Sequence, residues 1–506
     1  MMDHNSFIMN HIESCSIHDI PCLDIDSFRE AVIKNISSGL HISALFGQPH
    51  HDGKTELWAI LANPSAGNLI LVKTKVEDSY PALTPDCSQA HWFEREIAEQ
   101  WGINPENHPW LKPVRFHKNY SSRNDLWKRQ DDEIIPGITN YFKVDGEEVH
   151  EVAVGPIHTG IIEPGHFRFQ CNGEDVFHLE ISLGYQHRGI ERALVGGPDK
   201  RSLHFIENIA GDTAVGHATA YCHAIESLSG CHLPERTEVL RAIALELERM
   251  ANHTGDLGAL ANDVAYLPTS SFCGRIRGDI LNMTADICGN RFGRGLIKPG
   301  GVEFDIDQKT TLELIEKLDR IMGDLTGAVN LLWETPSVLA RFEGTGVIKK
   351  EDCRSLGLVG LPERACGFPR DIRFDFPTGA YRFDQIPVST WQTGDVFARA
   401  YVRWLELQRS YSFIRYELMN LPGGSVETNI GYLKPSSITV SMTEGWRGEI
   451  CHVAITDDTG RIAIYKIVDP SFHNWIGLAI ALRNQQISDF PLCNKSFNLS
   501  YCGHDL

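Results

Sequence analysis

The chain has 506 residues, 42% of them hydrophobic, and a formal net charge of −19. That length supports more than one domain and a core that needs no cross-links, while the negative charge, with no dominant basic patch, disfavours nucleic acid and anionic lipid surfaces. Its 13 cysteines, no two of them three apart, argue against a disulfide framework and against zinc, iron-sulfur and thioredoxin-like motifs within the chain.

The first 118 residues read as a small α/β domain. A helix is expected to open it, with a capping box at Ser27 and Glu30 and an apolar face of Phe28, Val32 and Ile36. Strands follow at 41–46, 56–61 and 69–76, rich in branched and aromatic residues, with a turn at 63–68. Helical spacing returns with Trp92, Phe93, Ile97 and Trp101, and Gly102 is placed to stop that helix. Residues 119–150 are polar and read as a linker. From 151 to 506 the pattern is mainly helical. One stripe runs through Val239, Leu240, Ile243, Leu247 and Met250, and another through Leu312, Ile315, Leu318, Met322, Leu325, Val329 and Leu332. Alternating segments near the end, SSITVSM, EICHVAI and RIAIYKIV, predict a small antiparallel sheet. The fold class expected is therefore α+β. Apolar runs such as LILV at 69–72 and IGLAIAL at 476–482 fall far short of the ~18 residues of a membrane span. The N-terminus has no signal-peptide pattern, so a cytoplasmic chain is expected.

Several motifs then occur in one order. WFEREIAEQWGINPENHPWLKPVRF at 92–116 is similar to the smaller peripheral-arm subunit of complex I. GPIHTGIIEPGHFRF at 155–169, LGYQHRGIERAL at 183–194, ELERMANHTGDLGALANDVAY at 246–266, NRFGRGLIKPGGV at 290–302, GVIKKEDCRSLGLVG at 346–360 and EGWRGEICHVAITD at 444–457 resemble the large subunit of energy-converting nickel-iron hydrogenases and of the complex I quinone module. Fusion of the two parts resembles hydrogenases of the formate-hydrogenlyase type. The resemblance implies a helical-bundle large subunit that docks on an iron-sulfur small subunit and on membrane antiporter-like subunits. It also implies a place at the inner face of the cytoplasmic membrane, with the iron-sulfur cluster on the partner and any NADH oxidised on another subunit.

Active relatives hold nickel with two pairs of cysteines. Matching Gly211 and His217 puts Ala210 and Thr213 at the first pair, and matching Ser496 and Asp505 puts Ser500 and Gly503 at the second. Soft thiolates bridge nickel and iron; alanine and glycine offer no donor, and hydroxyls are hard and ordinarily neutral. Cys502, between the second pair, does not rebuild a four-thiolate site. No nickel-iron centre is expected.

The quinone alternative is incomplete as well. His158 matches the first histidine of the quinone-binding loop, but Ile162, Glu163 and Pro164 fill the place of the second, and Asp212 and Thr213 stand near the expected tyrosine, with Tyr221 further on. What the alignment leaves is an ionisable set: His158, Glu163, His166, Asp212, His217 and Asp505. It reads either as a proton relay, with Glu163 in the place of a proton-transfer glutamate, or as groups that satisfy one another in a filled site. His187 and Arg188 read either as a contact to the small subunit or as a turn fixed with Gly189. Two functions are thereby expected: electron transfer, with a quinone as one acceptor, coupled to ion translocation; or a non-catalytic coupling or scaffold role in the same kind of complex.

Overall fold

A computed structural model describes residues 6–50, 52–130, 134–158 and 162–506. Strands, not a helix, come first. Phe7–Asn10, Ser14–Ser16 and Cys22–Leu23 precede the helix Ile25–Ser37. That helix is capped by Asp24, whose carboxylate accepts from the Ser27 N–H at 2.9 Å, so Ser27 is the capped residue and not the cap. The carboxylate reaches an orphan N–H three residues on, which leaves the expected box at Ser27 and Glu30 without a function there.

The strands His41–Pro49, Thr55–Asn63 and Asn68–Val76 form an antiparallel meander. Phe7–Asn10 pairs antiparallel, and Cys22–Leu23 parallel, with the last of them. Phe28 and Val32 of the first helix and Phe93 and Ile97 of the helix His91–Trp101 pack into one core with Trp58, Ile60 and Leu71. Gly102 ends the second helix at φ 66°, a left-handed conformation that costs glycine nothing.

No regular element occurs among the described residues from Asn107 to Glu148, and the next strand is Val149–Val154. Residues 131–133 of the expected linker and 159–161 of the Gly-Pro loop lie outside the described residues. The larger part is built on the helices Ala214–Ser229, Glu235–Asp263, Leu267–Cys288, Gln308–Trp333 and Val396–Met419, which pack on one another. In Gln308–Trp333 the buried face runs through Leu314, Leu318, Ile321, Leu325, Ala328, Val329 and Leu332, while Leu312 is exposed. The expected stripe thus starts on the wrong residue, because Leu312, two residues before the buried Leu314, lies on the opposite side of the helix.

The closing sheet joins the two parts. Its strands Ser437–Gly445, Gly448–Thr456 and Ile462–Val468 run antiparallel, and Ser14–Ser16 from the start of the chain adds to the edge, with Ser437 opposite Ser16. Every residue of the first two strands is buried, so both faces are covered. Ile438, Val440, Met442, Val453 and Ile455 face the N-terminal core, whereas Ala454, Tyr465 and Ile467 belong to the larger one. Such two-sided burial is what turns an antiparallel sheet with continuous apolar strands into a middle layer. The chain ends in the short helices Phe490–Phe497 and Tyr501–Asp505, and its last carbonyl, on Leu506, accepts the N–H groups of Arg188 and Gly189 at 2.9 Å each. Among the described residues no helix is long and apolar enough to cross a membrane.

Candidate functional site

Two chain turns meet beneath the closing sheet. One is the loop before the helix Ala214–Ser229, carrying Ala210, Asp212 and Thr213; the other is the C-terminal turn, carrying Ser500 and Gly503. The hairpin tip Trp446–Arg447 ties them together. The Arg447 guanidinium grips Asp212 in a bidentate pair at 2.7 and 2.8 Å and donates to the Asn498 carbonyl at 2.5 Å. Thr213 Oγ1 accepts from Trp446 Nε1 at 3.1 Å and from Arg447 Nη1 at 3.2 Å, and donates to Asp212 Oδ1 at 3.0 Å. Its hydroxyl is committed to this network. Burial raises the Asp212 carboxyl, but the charge of Arg447 and its hydrogen bonds outweigh burial and hold it below the usual range. The Arg447 guanidinium carbon lies over Trp446, 3.9 Å from the ring centre, a cation–π contact.

The second pair of positions is spent differently. Ser500 is the N-cap of Tyr501–Asp505, and its Oγ accepts from the Gly503 N–H at 2.9 Å. Gly503 packs so closely on Asp469 that a Cβ there would stand 2.7 Å from the carboxylate. Asp469 occupies the space a cysteine side chain would need. Cys502 is buried, which together with Glu163 pushes its thiol up to about 12, so it carries no thiolate at neutral pH. Ala210 and Gly503 have no donor, the hydroxyls of Thr213 and Ser500 are engaged, and the neighbouring thiol is protonated. These residues do not fit a nickel-iron centre.

Asp469 is the anchor of a buried hydrogen-bonded row. His217 Nε2 lies 3.0 Å from Asp469 Oδ2, His217 Nδ1 lies 3.1 Å from His452 Nε2, and His452 Nδ1 lies 2.9 Å from the Tyr465 hydroxyl. All four side chains are buried. A carboxylate only accepts, so the ring nitrogen facing Asp469 must carry a proton. That choice propagates: His452 Nε2 then donates to His217 Nδ1, and the Tyr465 O–H donates to His452 Nδ1. Burial raises the Asp469 carboxyl, yet His217 beside it and the Arg447 charge hold it low; burial keeps the His452 imidazole far below its usual range and the Tyr465 phenol well above. The row therefore carries a carboxylate at the Asp469 end and a neutral phenol at the Tyr465 end. Tyr465 also lines a cleft of about 580 Å³ together with Trp101, Tyr120, Glu191 and Lys466.

Glu248 supports the first loop from the helix Glu235–Asp263, accepting the N–H groups of Val215 at 2.7 Å and Gly216 at 3.1 Å at the start of the next helix. Burial nevertheless pushes its carboxyl up to about 8.

The structure brings His217 and Asp212 of the expected ionisable set into one network, with Asp469 and Arg447 between them. Glu163 sits at its margin, half-buried, where it accepts the Tyr501 N–H at 3.2 Å beside Cys502. His158 is turned to the backbone, its Nε2 2.7 Å from the Gly165 carbonyl. His166 pairs with Arg168 at 3.2 Å, and Asp505 holds the backbone of Gly184 and Gln186 at 2.8 and 2.9 Å. His187 Nδ1 contacts the Asp505 carbonyl at 2.7 Å, and Arg188 donates to the carbonyls of Asn208, Ile209 and Cys502. Both side chains therefore fix the turn. Sequence reasoning missed Asp469, His452, Tyr465 and Arg447. Asp469 carried a visible cue, since Asp-Pro opens the helix Pro470–Ala481 and its carboxylate caps it. Nothing local could signal that this cap also faces His217, 252 residues away.

Comparison with known proteins identifies both parts of the chain. Residues 28–127 match the family described as "Respiratory-chain NADH dehydrogenase, 30 Kd subunit", and residues 263–433 match "Respiratory-chain NADH dehydrogenase, 49 Kd subunit". The carbon monoxide-induced hydrogenase of Rhodospirillum rubrum is 31% identical over 350 residues, covering 69% of this chain and 97% of that one. Formate hydrogenlyase subunit 5 of Escherichia coli K12 is 28% identical over 479 residues, 91% of this chain and 84% of that one. A chain of the membrane-bound sulfane sulfur reductase, an archaeal respiratory membrane complex, superposes with a TM-score of 0.67 at 22% identity over 72% of this chain and all of that one, which shows a shared fold.

Proposed function

The chain belongs to the family of energy-converting hydrogenase and complex I large subunits, fused to the smaller complex I peripheral subunit, and on that premise we propose that it is a peripheral-arm subunit of a membrane-bound complex. It takes part there in electron transfer coupled to ion translocation, with no nickel-iron centre of its own. The observation that carries this reading is the packing of Asp469 against Gly503, with a hypothetical Cβ only 2.7 Å from the carboxylate, in the space a ligating side chain would need. The partners that fit are an iron-sulfur small subunit and antiporter-like membrane subunits, and the place is the inner face of the cytoplasmic membrane.

What this chain's own residues do is hold and move protons. The row Asp469, His217, His452 and Tyr465 has one proton per contact, each donated toward Asp469, so shifting each along its bond passes a proton from the Tyr465 end to Asp469 and leaves the negative charge at Tyr465 without moving a heavy atom far. Glu163, at the margin beside Tyr501, is the candidate group that takes up the proton released at the Asp469 end, and Asp212 is held by Arg447 as a fixed negative charge. A quinone headgroup needs a donor aimed at its carbonyl. Here His158 Nε2 is 2.7 Å from Gly165 O, His217 is taken up by Asp469 and His452, and Asp212 by Arg447, so these residues do not converge on one, and no step is routed through it.

That full engagement favours a second reading, a coupling subunit without redox chemistry at this site. Metal analysis and one substitution in the purified complex test the proposal. Nickel should be substoichiometric, and stoichiometric nickel would overturn the central statement. Glu163→Gln should reduce ion transport by about 10-fold or more, the scale of a lost acid-base group, while the complex still assembles. Electron flow lost along with transport supports the redox reading, electron flow retained supports the coupling reading, and unchanged transport removes Glu163 from the relay.

A further inference from the structure

A second polar cluster lies where the N-terminal sheet meets the closing sheet. His41 begins the strand His41–Pro49, Glu449 stands near the start of Gly448–Thr456, and His473 is in the first turn of Pro470–Ala481, one turn after Asp469. All three are buried, at 1%, 2% and 5% exposure. His41 Nε2 is 3.3 Å from Glu449 Oε1, the His41 and His473 rings are 5.1 Å apart at their centres, and one ligand-type atom from each residue lies within 4.8 Å of the others.

Hydrogen bonding leaves this cluster unfinished. Among the described residues, His41 Nδ1, Glu449 Oε2 and His473 Nε2 are buried without a hydrogen-bond partner, and a buried polar atom left unmet is costly. The elements that bring them together come from both ends of the chain, 408 residues apart for His41 and Glu449, so local turn chemistry does not account for the grouping. The donor set is two imidazoles and one carboxylate, the borderline ligands of a four-coordinate divalent metal with one open position. Zinc–nitrogen bonds of about 2.0–2.1 Å in a tetrahedron separate ligand atoms by about 3.3 Å, the spacing His41 Nε2 and Glu449 Oε1 already have, and His473 closes on them from within 4.8 Å. Arg370 is the positive charge that faces the cluster, and Glu363 pairs it at 3.0 Å.

We propose that His41, Glu449 and His473 form a binding site for one divalent transition-metal ion, zinc first, which clasps the N-terminal domain to the closing sheet. The ion acts as a structural staple, with a water or a small anion completing its shell.

The test uses the full-length chain in its purified complex, incubated with zinc and freed of excess metal. Element analysis should give one zinc per chain, and X-ray absorption at the zinc edge should report a shell of nitrogen and oxygen only. His473→Gln and Glu449→Gln should each lose that zinc and the accompanying rise in melting temperature, while Cys366→Ser keeps both. No retained zinc on the unsubstituted chain, sulfur in its shell, or full zinc in both substituted chains would overturn the site. The unsubstituted chain decides the matter even if a substitution prevents assembly.

Discussion

Gly503 and Asp469 show how a single contact fixes what a site can hold. A Cβ on Gly503 would enter the carboxylate of a buried aspartate that is itself bound to His217, with little room to withdraw. Gly503→Cys is expected to cost about 1–3 kcal/mol, the usual range of overpacking, and to bring no nickel into the complex. Chemical denaturation measures the cost. In an Asp469→Ala background the same change should cost less, since the opposing atoms are gone, and equal costs in both backgrounds would show that the contact is not what resists the cysteine. Asp212 offers a parallel lesson. As a residue type it suggested an acid-base group, but the bidentate grip of Arg447 at 2.7 and 2.8 Å makes it a fixed anion.

At the scale of elements, the hairpin between Ser437–Gly445 and Gly448–Thr456 does most to assemble the site, because its tip supplies both Trp446 and Arg447. The tip is seated against the loop before the helix Leu361–Ala365. Gly360 has φ 67°, and a Cβ there would stand 2.2 Å from the Gly448 Cα. Backbone meets backbone, so neither side can yield by rotating a side chain. Gly360→Ala is therefore expected to destabilise the chain by more than about 2 kcal/mol and to loosen Arg447 from Asp212. Thermal unfolding reads the first effect, and hydrogen exchange at the N–H groups of Trp446 and Arg447 reads the second. A change within about 0.5 kcal/mol, the range of an indifferent surface site, would mean that the tip docks elsewhere.

For the whole molecule, the two parts are welded through charge as well as apolar surface. Glu96, from the helix His91–Trp101, accepts Lys466 Nζ of the closing sheet at 2.6 and 2.7 Å and is paired with Arg115, whose Nε in turn donates to the His504 carbonyl at 2.9 Å. The C-terminal turn of the site thus hangs on a residue of the first 118. Burial raises the Glu96 carboxyl, but Lys466 and Arg115 outweigh it and hold it at about 2, against 4.5 for the free group. A carboxyl lowered in the folded state gives stability that is present above about pH 4.5 and is lost as pH falls through about 2. Glu96→Gln should cost about 3–5 kcal/mol at neutral pH, because it leaves Arg115 buried without its paired carboxylate and Lys466 with Glu191 alone, 3.0 Å away. Its stability should also fall less steeply with acid than that of the unsubstituted chain, as followed by denaturation across that pH window. Equal slopes would assign the acid sensitivity to other carboxylates. The α+β class, the three meander strands of the first sheet and the order of the closing strands were legible in the sequence, while Phe7–Asn10 and Cys22–Leu23 were not. The legible elements rest on residue spacing and turn chemistry, which act over a few residues. The family was legible for a related reason, since its motifs are short and keep their order along the chain. The sequence also led to the expectation that Ala210, Thr213, Ser500 and Gly503 stand where active relatives carry cysteines. What surrounds these four residues was decided by tertiary structure alone. Asp469 reaches His217 across 252 residues and Arg447 reaches Asp212 across 235, and contacts of that separation are set by packing of whole elements, which no local pattern encodes.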